Sequence, residues 1–417
     1  PTYLAEAFHL LDLGFTDAIK AVFALSVMAS GLAMYGFVKR VLSRQAGLVA
    51  AVAYMVIPYR LVDLYVRAAL SESVAYLFVP LALWGVWATL HQPRWTNLVG
   101  LALAYGFLNG FHDSANIVAT MIASRALSGR QALALTAIAE FAGPFLFGVA
   151  VATTIGHEVL NGEQIRLTVV AAALLSAVTW SILTWWWGIP SSSSHALIGG
   201  LIGAGVVESG WGVVKMEGFF KVLLALGISP PIGLAAGFLA MKAILFLARG
   251  FSPRINTVFK RGQIATGVAL ALAHGANDGQ KTMGIMVMGL VSAGAMSEFS
   301  VPLWVIVLSG AALALGTFVG GWRLIRTLGG AFYKIRPVHG FATQVASAAV
   351  IISAALFGGP VSTTQVVSSA IMGVGSGERI SKVRWSAASQ IAVAWAITIP
   401  VTAALSALLA LIFRRLQ

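Results

Sequence analysis

The chain has 417 residues, of which 59% are hydrophobic and only 10% carry a formal charge. Water-soluble domains average about 25% charged residues, and a soluble fold of this size could not bury so much apolar surface. The composition therefore excludes a soluble protein and indicates an integral membrane protein. The chain contains no cysteine, which excludes disulfide frameworks, thiolate metal sites and cysteine nucleophiles.

The formal net charge of +13 would suit a nucleic-acid-binding protein, but the basic residues lie in short connectors between apolar runs. This clustering follows the positive-inside rule, by which Lys and Arg remain on the cytoplasmic side of a membrane. The most basic connector, residues 249–262, is predicted to be cytoplasmic. We therefore exclude nucleic acid as a partner and expect a multi-pass protein of the plasma (inner) membrane.

The apolar runs, taken in chain order, predict membrane-crossing helices. Charge-free runs cover residues 21–38, 167–194, 222–241, 299–322, 341–377 and 385–413. Since one crossing takes roughly 20 apolar residues, the sequence predicts about eleven to thirteen membrane segments in an all-α polytopic helical bundle. The run 341–377 is long enough to enter the membrane and turn back, which indicates a re-entrant hairpin.

Residues 1–96 differ from the rest of the chain. Their most polar stretch, Pro58-Tyr-Arg-Leu-Val-Asp-Leu-Tyr-Val-Arg-Ala-Ala-Leu-Ser-Glu72, resembles part of polytopic membrane proteins related to lipid-linked-sugar glycosyltransferases. The resemblance implies a re-entrant or interfacial polar loop; a solvated connector is the alternative. The sequence lacks the early acidic active-site loop of such enzymes. We therefore expect membrane helices of unclear role, either a natural fusion or a fusion fragment, without activity of their own.

Two pairs of motifs recur in the same order through the rest of the chain. Leu108-Asn-Gly-Phe-His-Asp-Ser-Ala-Asn116 matches Ala273-His-Gly-Ala-Asn-Asp-Gly-Gln-Lys281, with the acidic residues 165 positions apart. Gly188-Ile-Pro-Ser-Ser-Ser-Ser-His195 matches Gly358-Gly-Pro-Val-Ser-Thr-Thr-Gln365, with the prolines 170 positions apart. This order and spacing indicate an internal duplication.

A third match, of Gly143–Gly148 with Gly316–Gly321, lies between the two pairs. Residues 97–248 and 263–417 are therefore predicted to be two structural repeats joined by the basic connector. Hydrophobic helices interrupted at corresponding positions of two halves are the best sequence pointer to a secondary transporter. A two-fold relation would bring the interruptions face to face near the membrane midplane.

Asp113 and Asp278 lie in otherwise apolar segments, where an ionised carboxylate costs at least about 2.5 kcal/mol. Such a group requires a polar cavity, a bound cation or a proton. The alternative is a structural ion pair, for which Lys281 stands three residues after Asp278, whereas no Lys or Arg accompanies Asp113. Carboxylate and amide oxygens together suit hard cations. We predict that the coupling cation is held by Asp113, Asp278 and Asn109, with Glu140 as a path-lining or proton-binding residue.

Two runs of hydroxyl residues each follow a proline and precede an apolar helical run. A helix N-terminus offers free N–H donors and a partial positive charge, so it binds anions readily. The alternative is plain N-capping, for which Ser and Thr are favoured. Two such N-termini facing each other would hold a tetrahedral oxyanion. The predicted anion-binding residues are Ser191, Ser192, Ser193, Ser194, Ser362, Thr363, Thr364, Asn116 and Asn277.

A further group of polar residues lies next to these motifs. Two of them occupy matching positions after the hydroxyl runs, where they either contact the substrate or satisfy backbone groups. The others are neighbours of the acidic motifs or of the hairpin helices. The group consists of His195, Gln365, Lys281, Thr282 and Gln344.

The two pairs of motifs, the Asp-containing pair and the Pro-hydroxyl pair, together resemble the duplicated signature motifs of the inorganic phosphate transporter (PiT) family, over residues ~97–417. The resemblance implies inverted-topology repeats, re-entrant helical hairpins, phosphate held at the hairpin tips, and sodium or proton as the driving ion. It also implies that Asp113 and Asp278 belong to the cation site. His112 stands where many members have Asn, and Gln280-Lys281 stands where many have Ala-Asn. These departures leave the choice between sodium and proton open.

The sequence therefore predicts a secondary active transporter that moves inorganic phosphate by symport with a cation, through alternating access at a site between the repeats. We expect no enzymatic activity, no cofactor and no metal beyond the transported cation. The expected partners are inorganic phosphate, the coupling cation, the lipid bilayer and a second copy in a homodimer. The alternatives are transport of a related oxyanion or a metal–phosphate complex, a membrane glycosyltransferase-like enzyme, or a channel. Short connectors disfavour the enzyme, and duplicated interrupted helices disfavour an open pore.

Overall fold

The computed structural model describes residues 8, 14–57, 76, 78–91, 95–161, 165–252, 254–330 and 332–416. These residues form helices joined by short connectors, and their β-structure is limited to one isolated bridge between Leu160 and Val214. The chain divides into two compact units, Pro1–Gln92 and Pro93–Gln417. The predicted all-α membrane fold is confirmed. The predicted polar loop between Pro58 and Glu72 lies outside the described residues.

The first unit contains three described helices, α1 (Phe15–Val41), α2 (Arg44–Val56) and α3 (Phe78–His91). Helix α1 packs against both α2 and α3. Ser43 begins α2 as its N-cap, because its side chain accepts a hydrogen bond from the backbone N–H of Ala46 at 3.1 Å. Helix α1 is long and apolar enough to cross a membrane.

The second unit begins with α4 (Trp95–Ala123), α5 (Gly129–Phe147), α6 (Ala150–Thr153), α7 (Leu167–Trp187), α8 (Ser193–Ser209) and α9 (Met216–Leu247). It continues with α10 (Ile255–His274), α11 (Gln280–Ser292), α12 (Leu303–Val319), α13 (Trp322–Gly330), α14 (Pro337–Leu356), α15 (Thr363–Glu378) and α16 (Trp385–Leu416). Single π-helical turns follow α6 at Thr154–Glu158 and join α10 to α11 at Gly275–Gly279.

The basic connector, residues 249–262, includes the first turns of a helix. Helix α9 ends at Leu247 and α10 begins at Ile255, so the second half of the segment 249–262 is helical. From Ile255 to Arg261 the chain contains neither Gly nor Pro, and nothing interrupts the helix once it has begun. Lys260 and Arg261 therefore lie on the first turns of α10.

Two sharp bends occur at corresponding places in the second unit. The axes of α5 and of the α6 segment differ by 79°, and those of α12 and α13 differ by 70°. A glycine with positive φ lies at each break, Gly148 at 74° and Gly320 at 75°. Side chains with a Cβ rarely adopt this conformation, so glycine allows the chain to turn here. The glycine-rich motifs that match in sequence thus bend in the same way.

Two helical hairpins form at the proline-hydroxyl motifs. Helix α7 ends before Gly188, whose φ is 70°, and α14 is followed by Gly358, whose φ is 67°. Each glycine precedes a proline and a new helix, α8 or α15. The long apolar runs 167–194 and 341–377 are therefore interrupted by a turn, as the sequence predicts for the second run.

The last helix of each half packs on the hairpin of the other half. Helix α16 lies against α8, and α9 lies against α15. Glycines make these contacts close: a Cβ on Gly203 would lie 2.1 Å from the carbonyl oxygen of Ala403, and one on Gly237 would lie 2.3 Å from that of Ala370. Small residues that allow helix backbones to approach are typical of membrane bundles. The packing is reciprocal between the halves.

Among the described residues, five helices are long and apolar enough to cross a membrane, or up to seven if each bent pair counts as one span. The chain is thus a multi-pass membrane protein. This number is lower than the predicted eleven to thirteen segments. One reason is that α8 and α15, with 17 and 16 residues, are too short to cross alone. Another is that α4, although 29 residues long, carries several buried polar side chains.

Candidate functional site

Two carboxylates from the two halves of the second unit meet in its interior. Asp113 lies on α4, and Asp278 lies on the π-helical turn between α10 and α11; both are fully buried. One oxygen of each carboxylate and a ring nitrogen of His274 lie within 4.8 Å of one another. The π-turn widens the helix locally, a feature found often at functional sites. The structure thus brings together the acidic residues of both motifs.

The hairpin tips reach the same two carboxylates. Ser193, at the start of α8, donates its hydroxyl to Oδ2 of Asp113 at 3.1 Å, and Thr364 of α15 donates to Oδ1 of Asp113 at 2.9 Å. Thr363 donates to Oδ2 of Asp278 at 3.3 Å. Asp113 is therefore contacted by hydroxyls of both hairpins. Three of the predicted anion-binding hydroxyls thus contact the two predicted cation-binding aspartates directly.

Three asparagines connect the carboxylates with the hairpins. Nδ2 of Asn116 donates to the hydroxyl oxygen of Thr364 at 3.0 Å, and Nδ2 of Asn109 lies 3.5 Å from Oδ2 of Asp278. Asn277 donates to a backbone carbonyl of the second hairpin at 3.2 Å. Within the described part of the chain, the amide oxygens of Asn109 and Asn277 are buried and accept no hydrogen bond. These oxygens suit a cation or a hydrogen-bond donor.

One hydroxyl in each run is an ordinary helix cap. Ser192 accepts a hydrogen bond from the backbone N–H of His195 at 3.2 Å and begins α8. Ser362 accepts one from the backbone N–H of Gln365 at 3.3 Å and begins α15. The capping alternative thus describes Ser192 and Ser362, whereas their neighbours make other contacts.

The remaining serines of the first run join the hairpins to their surroundings. Ser191 lies 2.8 Å from the hydroxyl of Thr184 on α7. Ser194 donates to the backbone carbonyl of Val361, at the tip of the opposite hairpin, at 3.3 Å. The two tips also meet through His195 and Gln365, whose Nε2 atoms are 3.5 Å apart. The two matching positions therefore face each other.

His274 is a central residue of the cluster that the sequence analysis did not identify. Its Nδ1 lies 2.8 Å from Oε1 of Glu140, and its Nε2 lies 3.6 Å from Asp278 and 4.0 Å from Asp113. The sequence did contain a signal, because His274 precedes Asp278 by four residues and so lies on the same helix face. Tyr105 was missed as well; its buried hydroxyl lies 3.5 Å from the carbonyl oxygen of Ser193.

The two carboxylates have different basic neighbours. Nζ of Lys281 lies 2.6 Å from Oδ1 of Asp278, so the ion pair considered from the sequence is present. Nδ1 of His112 lies 3.2 Å from Oδ1 of Asp113, and its Nε2 lies 3.3 Å from the hydroxyl of Thr184. A His, which is charged only when protonated, thus stands beside Asp113, while a Lys stands beside Asp278.

Two further candidates lie beside the cluster. Thr282 is buried against α4 at Gly106, where an added Cβ would lie 3.0 Å from the Thr282 side chain. Gln344 of α14 donates from Nε2 to Thr120 at 3.3 Å and accepts from Thr266 at 2.6 Å. The hydrogen bonds of Gln344 thus join α14 to α4 and α10 rather than to the carboxylates.

The buried charges leave the cluster negative. Asp113, Asp278 and Glu140 are carboxylates, and Lys281 is the single Lys or Arg that is buried among the described residues. With the histidines neutral, the formal charge of the group is −2. Burial of an anion beside such a group is unfavourable unless positive charge enters with it. The cluster can therefore hold an oxyanion and a cation together more readily than an oxyanion alone.

Comparison with known proteins identifies the family. The model of the phosphate transporter family matches residues 109–406. A protein of Rhizobium meliloti (strain 1021), named probable low-affinity inorganic phosphate transporter, is 42% identical over 77% of this chain and 97% of its own length. A Bacillus subtilis (strain 168) protein of the same name is 40% identical over 75% of this chain and 94% of its own length.

A solved structure, described as the sodium-dependent phosphate transporter, shares the fold. It has a TM-score of 0.70 and 24% sequence identity, and the match covers 77% of this chain and 100% of that chain. The relatives above are named as transporters and not as enzymes, in agreement with the expectation that this chain is not an enzyme. Because the family model spans most of the chain and the relatives align over nearly their whole length, this chain belongs to the phosphate transporter family.

Proposed function

We propose that this protein carries inorganic phosphate across the plasma (inner) membrane by symport with a cation, sodium or proton. The observation that carries the proposal is the contact of Ser193, Thr363 and Thr364 with Asp113 and Asp278. Hydroxyl-bearing helix N-termini suit an oxyanion, and buried carboxylates suit a cation. The names of the relatives, probable low-affinity inorganic phosphate transporters, support phosphate as the oxyanion.

The hydroxyls at the hairpin tips explain how phosphate and cation binding depend on each other. The hydroxyls of Ser193 and Thr364 donate hydrogen bonds to Asp113, and that of Thr363 donates a hydrogen bond to Asp278. A bound phosphate oxygen competes with the carboxylates for these hydrogen bonds, because each hydroxyl can donate only one. The carboxylates then lose hydrogen bonds, and a cation restores their stabilisation. Phosphate and cation therefore bind more strongly together than separately.

The coupling cation binds at the carboxylates from the two halves. Asp113 and Asp278 provide carboxylate oxygens, and Asn109 provides the amide oxygen that accepts no hydrogen bond among the described residues. Such a hard oxygen set suits sodium. A proton uses the same groups through Glu140 and His274, whose Oε1 and Nδ1 atoms lie 2.8 Å apart. The proposal therefore includes both ions, and a transport measurement distinguishes them.

Alternating access requires two halves that can move relative to each other around the site. The two bends, the two hairpins and the reciprocal packing of α9 and α16 support an inverted relation between residues 97–248 and 263–417. Transporters with such repeats expose a site between them first to one side and then to the other. We propose that the hairpin tips open in turn toward the two faces of the membrane.

The proposed function is tested by uptake of labelled phosphate into proteoliposomes that hold the purified protein. We expect accumulation when an inward sodium or proton gradient is imposed and none with empty liposomes. Competition by unlabelled sulfate and arsenate, and uptake with and without magnesium, separates phosphate from a related oxyanion and from a metal–phosphate complex. Absence of accumulation under either gradient would contradict the proposal. Homodimer formation is a separate prediction, which the mass of the detergent-solubilised protein checks.

A further inference from the structure

Lys281 is held as an internal cation within the site. Its side chain on α11 is fully buried, and its Nζ lies 2.6 Å from Oδ1 of Asp278 and 3.1 Å from the backbone carbonyl oxygen of Val361. The ammonium group thus joins a carboxylate to the tip of the second hairpin. A buried ammonium is tolerated only with partners of this kind.

The contacts of this ammonium are those of a bound hard cation. A carboxylate oxygen and a backbone carbonyl oxygen are ligands that hard cations prefer. Asp278 uses one oxygen for Lys281 and the other for Thr363, at 3.3 Å. The covalently attached ammonium therefore occupies the space at Oδ1 of Asp278, where a second cation would otherwise bind beside the coupling cation.

The corresponding position in the first half carries no charge. Lys281 follows Asp278 by three residues, and Asn116 follows Asp113 by three residues. Asn116 donates to Thr364, while the ion-pair partners of Asp113 in the described part of the chain are His112 and His274. The permanent positive charge is therefore present at one carboxylate and missing at the other.

We propose that Lys281 is a built-in counter-ion that replaces one transported cation at Asp278. The proposal rests on the proposed symport and specifies its stoichiometry. With Lys281, the buried carboxylates and the ammonium carry a formal charge of −2; with a neutral residue at this position they carry −3. Each uncompensated buried charge opposes phosphate binding, so a neutral residue at position 281 demands one more cation for each phosphate.

The test compares Lys281→Gln with Lys281→Arg, which keeps the positive charge. Proteoliposomes are clamped at a series of membrane potentials with potassium and valinomycin, at fixed pH and fixed ion gradients. The final ratio of inner to outer phosphate then reports the charge moved with each phosphate. We expect Lys281→Arg to move the same charge with each phosphate as the wild type. We expect Lys281→Gln to move one additional positive charge, a further tenfold accumulation for about each 59 mV of imposed potential.

A second measurement applies if Lys281→Gln binds but does not transport. The affinity of the detergent-solubilised protein for inorganic phosphate is measured against sodium chloride concentration and against pH. For the ion that drives wild-type uptake, the slope of log affinity against log ion concentration should be greater by one in Lys281→Gln. Equal slopes, or an unchanged charge per phosphate in transport, would show that Lys281 has only a structural role. Failure of the proposed function itself is recognised separately, as absence of gradient-driven uptake by the wild type.

Discussion

Nη1 of Arg166 lies 2.9 Å from Oε1 of Glu208, so an ion pair joins the residue before α7 to the last turn of α8. The second half repeats this relationship 170 positions later, where Arg336 pairs with Glu378. Arg336 precedes α14, and Glu378 ends α15. Each hairpin is therefore linked at its base by an Arg–Glu pair. The hairpin motifs have the same 170-residue spacing, which extends the internal duplication from the tips to the bases.

Replacement of either central carboxylate should abolish gradient-driven uptake. Asp113→Asn and Asp278→Asn remove a negative charge that a coupling cation requires, while the shape of the side chain is kept. The measurement is labelled phosphate uptake into proteoliposomes, with size-exclusion chromatography to verify folding. Asp17→Asn is the matched control, because Asp17 is exposed on α1. Normal accumulation by both site variants would disprove the proposed cation role.

Ser193→Ala should weaken phosphate affinity at least about tenfold, since loss of a hydrogen bond to a charged group costs about 1.5–3 kcal/mol. Thr363→Ala should act in the same direction. The control is Ser43→Ala, which removes the N-cap of α2 and should lower stability by about 1 kcal/mol while phosphate affinity is retained. Phosphate binding and thermal unfolding are measured on each variant. If the tip variants lose stability but keep their affinity, the hydroxyls are caps only.

Glu140→Gln should reduce by one the positive charge that moves with each phosphate. The substitution removes one of three buried carboxylates, the one that lies 2.8 Å from Nδ1 of His274. We expect phosphate exchange between the two sides to persist while accumulation against a gradient falls. Glu158→Gln provides the comparison, because Glu158 pairs with Lys221 and is partly exposed. Equal loss of exchange and accumulation would argue for a role of Glu140 in folding or phosphate binding instead.

Gly203→Ala should destabilise the protein by about 1–3 kcal/mol, the usual range for an overpacked contact. The added Cβ would lie 2.1 Å from the carbonyl oxygen of Ala403 and would force α8 away from α16. Gly227→Ala in α9, where an added Cβ meets no atom within 4 Å, should be neutral or stabilising. Thermal unfolding in detergent checks both. A midpoint for Gly203→Ala equal to that of the wild type would refute the close helix contact.

The second basal ion pair should make stability depend on pH. Glu378 ends α15 outside the candidate membrane spans and pairs with Lys382 in the short segment that follows. Burial raises the pKa of its carboxyl, but hydrogen bonds from Lys382, His339 and Arg336 outweigh this effect and lower the pKa from 4.5 to about 2. Because the folded-state pKa is depressed, the stabilisation is complete above about pH 4.5 and is lost as the pH falls toward 2.

The unfolding midpoints of wild type and Glu378→Gln check this dependence. The wild type should be more stable by a constant amount between pH 5 and 8, and the difference should shrink below about pH 4.5. A difference that is constant down to acid pH would show that the carboxylate charge of Glu378 does not stabilise the hairpin. Arg336→Gln should give a smaller loss, because Lys382 and His339 remain as partners.

Much of the architecture could be predicted from local patterns. Charge-free runs predict membrane helices because hydrocarbon excludes charge, and the glycines and prolines at positions 188–190 and 358–360 predict where the hairpins turn. Helices α8 and α15 are too short to cross alone, which hydropathy by itself does not reveal. The start of α10 at Ile255, inside the basic connector, was not predicted, because neither charge nor polarity prevents helix formation there.

The sequence predicted candidate site residues that the structure places close together, but it did not predict their contacts. The duplicated motifs identified Asp113, Asp278 and the hydroxyl runs, and the spacing of Lys281 indicated its ion pair. His274 was overlooked although it lies four residues before Asp278, a spacing that places both side chains on one helix face. Neighbouring hydroxyls in one run have different partners: Ser192 caps the helix, whereas Ser193 donates a hydrogen bond to Asp113. Which partner each one has depends on the direction in which its side chain leaves the hairpin tip.

The sequence by itself determined that this is a helical membrane protein whose acidic and hydroxyl motifs recur at similar spacings, because hydrophobicity and motif repetition can be read from short segments. The tertiary structure decided which groups meet. Thr364 and Asp113 are 251 positions apart, and Ser193 and Asp113 are 80 apart. Such pairs form only when whole helices pack, so the side-chain partners depend on the reciprocal docking of the two halves and not on any local pattern.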